Sequence, residues 1–249
     1  MKIGSAALAA LILCWVGTVV AATETITAAR FSIPTSRYAH GILGDAEEWG
    51  QLEIDVSRVS AGSVSDRSVL RDTTYLFRLP VDHVFEDVAP RLLDVTGDGR
   101  PEVIVVETDV HQGAALAIYD STGKLAETPH IGQRNRWLAP IGAADLDSDG
   151  HIEIAYIDRP HLVKTLRIWR YQDRKLAQVA NLPGLTNHRI GERDIAGGIR
   201  TCDGPPEMIV ATADWTRLVA VQYQNGQIKT RDIGAHKGRA SFAQALNCP

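Results

Sequence analysis

The feature that most restricts this chain is residues 144–153, Ala-Asp-Leu-Asp-Ser-Asp-Gly-His-Ile-Glu. Asp145, Asp147, Asp149 and Glu153 put four carboxylates into nine residues, with Gly150 where a tight loop needs a residue free to take positive φ. Two like charges about 5 Å apart repel by roughly 3 kcal/mol at an effective dielectric of 20, so an empty cluster loosens. A hard divalent cation with oxygen ligands removes the conflict, and alternate spacing along a loop turns the oxygens inward. The expected ligands of a Ca²⁺ ion are Asp145, Asp147, Asp149, the His151 carbonyl and Glu153. An EF-hand is excluded. Its twelfth loop position would fall on Tyr156, and Ile152-Glu153-Ile154-Ala155-Tyr156-Ile157 alternates as a strand does.

A second stretch has the same grammar. Leu93-Asp94-Val95-Thr96-Gly97-Asp98-Gly99-Arg100-Pro101-Glu102 precedes the apolar run Val103-Ile104-Val105-Val106. Asp94, Thr96, Asp98, the Arg100 carbonyl and Glu102 take the matching positions, and Thr96 lowers the charge, so this site is expected to bind more weakly. Asp94 and Asp145 lie 51 residues apart, and steps of 49 reach Asp45 and Asp194. Turn signals recur at Tyr119-Asp120-Ser121-Thr122-Gly123, Tyr171-Gln172-Asp173 and Tyr223-Gln224-Asn225-Gly226. Four units of about fifty residues follow, near 37–85, 86–135, 136–185 and 186–235. The first has lost the loop glycine and the fourth the acidic triplet, so neither is expected to hold a cation.

Asp-Leu-Asp-Ser-Asp-Gly-His-Ile-Glu after Ala-Pro-Ile-Gly-Ala-Ala resembles the FG-GAP or VCBS repeat of integrin-α-like β-propellers. The resemblance implies an all-β small propeller of about four to five four-stranded antiparallel blades. It also implies Ca²⁺ held structurally at about two sites, in the loop between a blade's first two strands. Members of that family are mostly adhesion, recognition or scaffold modules. The expected function is therefore an exported, calcium-binding, non-catalytic module for a protein or glycan ligand.

Residues 1–22 carry Lys2, an apolar run and small residues at Val20-Ala21-Ala22, the pattern of a leader cleaved after Ala22. Residues 23–249 would then form the propeller in the periplasm or outside the cell, with no membrane span after cleavage. Cys202 and Cys248 are the two cysteines beyond the leader, and in an oxidising compartment they are expected to pair. Thr25 to Ile33 reads as a strand completing the last blade, and Ser241 to Leu246 as the start of another unit. The length fits a closed four-bladed ring, a five-bladed ring built from both termini, or an incomplete ring that dimerises. With 26 basic against 30 acidic side chains, nothing suggests a nucleic-acid partner.

If the acidic loops join the first two strands, the opposite face receives the crossings between blades. Arg37, Tyr38, Arg136, Trp137, His188 and Arg189 lie in those crossings, and Asp109, Asp158, Asp214 and Trp215 at hairpin ends. Such a mixture of arginine, carboxylate and aromatic groups suits a ligand face. The sequence has no Gly-x-Ser-x-Gly, His-Glu-x-x-His, phosphate-loop or dinucleotide motif. The alternative function is a carbohydrate-active lyase or hydrolase on that opposite face, with an acid and a base converging on one pocket.

Overall fold

The computed structural model describes residues 23–60 and 69–248; the expected leader and its cleavage point lie outside them. Among the described residues the regular structure is all strand, save one helix near the C-terminus. No described helix is long and apolar enough to cross a membrane.

The first sheet contains β1 (Thr23–Thr35), β2 (Glu48–Ser60), β3 (Val69–Arg78), β4 (His83–Phe85), β5 (Arg91–Leu93), β6 (Glu102–Asp109), β7 (Gly113–Asp120) and β8 (Gly123–Glu127). Its order is β1-β2-β4-β6-β7-β8, with β3 also on β2 and β5 also on β6. The second is β9 (Leu138–Ala144), β10 (Ile152–Asp158), β11 (Thr165–Gln172) and β12 (Lys175–Pro183), paired in sequence order. The third orders β13 (Leu185–Thr186), β15 (Glu207–Thr212), β16 (Arg217–Gln224) and β17 (Gln227–Ala235), with β14 (Gly198–Arg200) also on β15.

Burial periodicity explains how these sheets meet. Leu52, Ile54 and Val56 of β2 are buried while Gln51, Glu53 and Asp55 between them are not, as expected of a sheet with one wet face. In contrast, β6 is buried along its whole length. Its two faces pack on different neighbours. Val103 and Val105, with Ala117 and Tyr119 of β7, meet Leu52, Ile54 and Val56. Ile104 and Val106, with Leu116 and Ile118, meet Ile154, Tyr156 and Trp169 of the second sheet. The alternation then passes on: Ala155, Ile157, Leu166 and Ile168 face Met208, Val210, Val219 and Val221 of the third sheet. Ile209, Ala211, Leu218 and Ala220, on the far side of that sheet, are covered by Phe242 of helix α1 (Arg239–Leu246).

These sheets are three separate bodies of eight, four and five strands, and no strand of the first pairs with the third. The expected closed ring of four or five similar four-stranded blades is therefore not formed, and only the second sheet has four strands. Both termini account for the difference. Instead of completing the last sheet, the N-terminal strand lies along β2, from Glu24 opposite Arg58 to Thr35 opposite Glu48. At the C-terminus, Phe242, Ala245 and Leu246 recur at helical spacing, so 239–246 forms a helix over the third sheet where a further strand was expected.

Candidate metal centre

The acidic loops lie side by side: a Cβ on Gly97 would stand 4.0 Å from the Gly150 carbonyl oxygen. They share one backbone path. Gly99 and Gly150 have φ of 83° and 88°, and Gly97 is matched by Ser148 at 75° and 61°. Ser148 thus holds a left-handed conformation that its counterpart leaves to glycine. Each loop joins two antiparallel strands at the same register, Leu93 opposite Glu102 and Ala144 opposite Glu153. The glutamate at the start of each second strand closes the loop: Glu102 accepts the Val95 N–H at 2.9 Å and Glu153 the Leu146 N–H at 3.0 Å. Burial raises the pKa of both glutamates, against the pull of those N–H groups.

In the loop after β9, donor oxygens of Asp145, Asp147 and Asp149 fall within 4.8 Å of one another. Asp145 accepts the backbone N–H groups of Asp149 and Gly150, and Asp149 that of His151. The last bond, ahead of the charge of Arg170, holds the Asp149 carboxyl below its usual range. Arg170 of β11 reaches in from opposite Glu153. Its guanidinium lies 2.6 Å from Glu153, 2.9 Å from Asp147 and 2.7 Å from Asp149. One oxygen escapes this network: Asp147 Oδ1 is buried without a hydrogen-bond partner. The three aspartates can therefore coordinate a divalent metal ion.

The loop after β5 is looser. Asp94 accepts the Gly97 and Gly99 N–H groups, and the Thr96 hydroxyl lies 3.3 Å from Glu102. Asp98 instead turns to its neighbour Arg100, whose guanidinium and N–H both bind it and lower its pKa. Its carboxylates are not gathered as those of 145–149 are; the three-aspartate group is the one such cluster among the described residues.

A third loop occupies the corresponding place before β15. There Arg200 stands opposite Glu207, so Glu207 is the counterpart of Glu102 and Glu153. Counting in steps of 49 misses this, because Asp194 lies upstream of β14 and not at its end. The loop has no acidic triplet. Arg200 and Arg231 neutralise Glu207, and the Cys202–Cys248 disulfide fastens the loop to the chain end. The loop carrying Asp45 is displaced further still. It follows β1, whose other end at Glu24 meets Arg100, so it lies at the opposite end of the sheets.

That opposite end gathers some expected ligand-face residues but commits most of them internally. Arg37 donates to the Pro80 and His83 carbonyls, and the buried Tyr38 hydroxyl accepts the Asn135 N–H. The buried Trp137 indole donates to the Glu86 carbonyl, while Arg136 binds the Asn135 carbonyl. His188 is buried, and Arg189 lies 4.1 Å over the ring of Trp215. Asp109 accepts two N–H groups of its own turn, Asp158 is clamped by Arg159 and Arg167, and Asp214 binds Thr212 and Thr216.

The ring face expected to take a protein or glycan is thus absent with the ring, and its carboxylates are held by their own turns or by neighbouring arginines. The lyase or hydrolase alternative meets a similar obstacle. Glu48 and Glu86, the carboxyls raised by burial at this end, are 3% and 0% exposed and do not line the pocket beside Trp137. A glycosidase needs two carboxyl groups open to the bond being broken.

Arg170 is not among the residues expected from the sequence; it meets Glu153 through the register of the β10–β11 hairpin, and Glu207, thirteen residues after Asp194, falls outside the expected spacing. An FG-GAP-like repeat matches residues 94–156, which span both acidic loops and the strands that follow them. No curated protein matches the chain. Similarity to that repeat covers about a quarter of the sequence.

Proposed function

We propose that the loop after β9 binds one divalent cation, Ca²⁺, and that this cation stiffens the connection between β9 and β10. The observation that carries the reading is Asp147 Oδ1, a buried carboxylate oxygen without a partner beside two further aspartates. Burying such an acceptor unpaired costs about 1–3 kcal/mol or more, which a cation there would offset. Four carboxylates face a single guanidinium, so the loop retains negative charge after Arg170 has been counted. The donors are carboxylates and, through His151, a backbone carbonyl, with no Cys or imidazole in the cluster. Hard oxygen donors on an irregular loop favour Ca²⁺ over softer transition metals. When bound, the ion supplies charge compensation. The chain's own residues do the rest: Glu153 holds the loop backbone, and Arg170 ties the loop to β11.

A second, weaker site is assigned to Asp94, Thr96, Asp98, the Arg100 carbonyl and Glu102, because Asp98 must leave Arg100 to contribute fully. The domain is thus a cation-stiffened all-β unit in which two loops use charge and the third a disulfide. The disulfide supports an exported location, where such a bond persists. The test is a thermal melt of residues 23–249 with excess Ca²⁺ and with chelator. A ligand at 100 times its dissociation constant adds about 2.7 kcal/mol per site, so a rise saturating at millimolar Ca²⁺ is expected. A cooperative melt that ignores both Ca²⁺ and chelator would overturn the proposal.

A further inference from the structure

The end of the sheets away from the acidic loops carries a chemically different site. A pocket of about 280 Å³ opens there, lined by His40, Ile42, Trp137, His161, Leu162 and Ile190 among others. Its wall is fixed. Trp137 is 2% exposed with its N–H bound to the Glu86 carbonyl, and the His161 ring lies parallel to it, 4° between planes. Leu162 and Ile190 are 63% and 68% exposed, large apolar side chains left open to water beside an aromatic wall. The segment carrying Leu162 is pinned by the Arg159 carbonyl, which accepts the N–H groups of Leu162, Val163 and Lys164.

The polarity of one atom of His161, which lines the pocket, follows from a chain of hydrogen bonds. The Glu192 carbonyl, 2.8 Å from His188 Nε2, can only accept, so that nitrogen carries a proton. Burial lowers the His188 pKa and keeps the ring neutral, which makes Nδ1 a lone pair. His161 Nε2, 3.0 Å from this lone pair, must then be the donor. Burial, and next the neighbouring His188, push the His161 pKa down to about 4, so this ring is neutral as well. Its Nδ1 is left as an acceptor with no partner among the described residues.

The charged neighbours do not point to a charged ligand. Arg159 is spent on Asp158 through two bonds, Arg136 is bound to the Asn135 carbonyl, and no carboxylate lines the pocket. Glu86 is shut behind His40, whose Nδ1 it meets at 2.5 Å. The volume lies just below the roughly 300–1,000 Å³ of drug-sized ligand pockets, which suits one or two fused rings.

We propose that this pocket binds a small neutral aromatic molecule bearing one N–H or O–H donor, of the indole or phenol class. The ring packs against Trp137 and Ile42, beneath Leu162 and Ile190, and the donor meets His161 Nδ1.

The test titrates residues 23–249, disulfide intact, with indole and with indene, which has the same shape but no N–H. Affinities are read by NMR from shifts at Leu162, Ile190 and His161. Indole should bind about five- to tenfold more tightly than indene, the effect of one neutral hydrogen bond. His161→Phe, which keeps a ring on Trp137, should abolish the difference. Leu162→Asp, at an exposed position that the fold does not need, should weaken both probes about tenfold or more. Equal binding of the two probes, or no shifts at the pocket, would overturn the proposal. So would tight Zn²⁺ binding at His40 and His161 that excludes indole, because the ring nitrogens would then be metal ligands.

Discussion

Arg170 stands opposite Glu153 on the β10–β11 pair, its Nε 2.6 Å from Oε1, while its other nitrogens reach Asp147 and Asp149. One guanidinium thus occupies the charge balance of a loop that also suits a divalent ion. Arg170→Met separates these roles. With chelator, the variant should lose about 3 kcal/mol of stability, the usual scale for breaking a largely buried pair. Its Ca²⁺ affinity should rise tenfold or more, since a like charge has left the site. Urea unfolding with and without Ca²⁺, together with calorimetric titration, measures both. Unchanged Ca²⁺ affinity would show that Arg170 and the ion do not compete.

The two acidic loops should differ. Asp145→Ala with Asp149→Ala should remove most of the Ca²⁺-dependent rise in melting temperature, and Asp94→Ala with Asp98→Ala much less. The cause is that Asp145, Asp147 and Asp149 are gathered around a buried unpaired oxygen, whereas Asp94 and Asp98 are not gathered and Asp98 is engaged by Arg100. Equal losses in the two double variants would refute this ranking.

The disulfide closes a loop with a sequence separation of 46 residues. Loop entropy puts its contribution at about 4 kcal/mol. Reduction, or Cys202→Ser with Cys248→Ser, should lower the unfolding free energy on that scale. It should also expose the amides of α1 and β14 first, because Cys248 follows the helix and Cys202 follows β14. Hydrogen exchange that speeds up uniformly would contradict a local fastening role.

Glu48 sets a pH dependence. Burial, then the nearby Glu86, push its pKa up to about 9, so the folded chain keeps a proton that the unfolded chain has released by neutral pH. The sign follows. This contribution is fully present below the unfolded pKa of about 4.5 and is lost as pH rises toward 9. Between those limits stability should fall by up to about 1.4 kcal/mol per pH unit. Glu48→Gln should flatten the slope and be the more stable form at pH 8. Denaturant titrations from pH 5 to 8 decide it, and an unchanged slope in the variant would assign the dependence to another group.

Much of the candidate metal centre was legible because its ligands are consecutive in sequence. Alternating aspartates, a glycine and a closing glutamate before a β-branched run require only local geometry, and Asp94 to Glu102 repeats Asp145 to Glu153 almost residue for residue. Arg170 was not legible in the same way. It joins the site through the register of the β10–β11 hairpin, which a count of acidic residues does not contain. The same holds for Glu207, whose place opposite Arg200 becomes visible only when β14 and β15 are paired.

The sequence alone determined strands of period two, the two acidic loops and the cysteines available to pair. Each of these follows from side-chain chemistry within a few residues. Tertiary structure decided which strand covers which face. Residues 23–35 could equally have alternated against a last sheet, but β2 offers thirteen residues of partner and a shared core at Leu52, Ile54 and Val56. Residues 239–246 became a helix because Phe242 and Leu246 meet the open face of Ile209, Ala211 and Leu218. Local periodicity is indifferent to such choices. Burial of apolar area between distant segments settles them, and here it gives three stacked sheets in place of a ring.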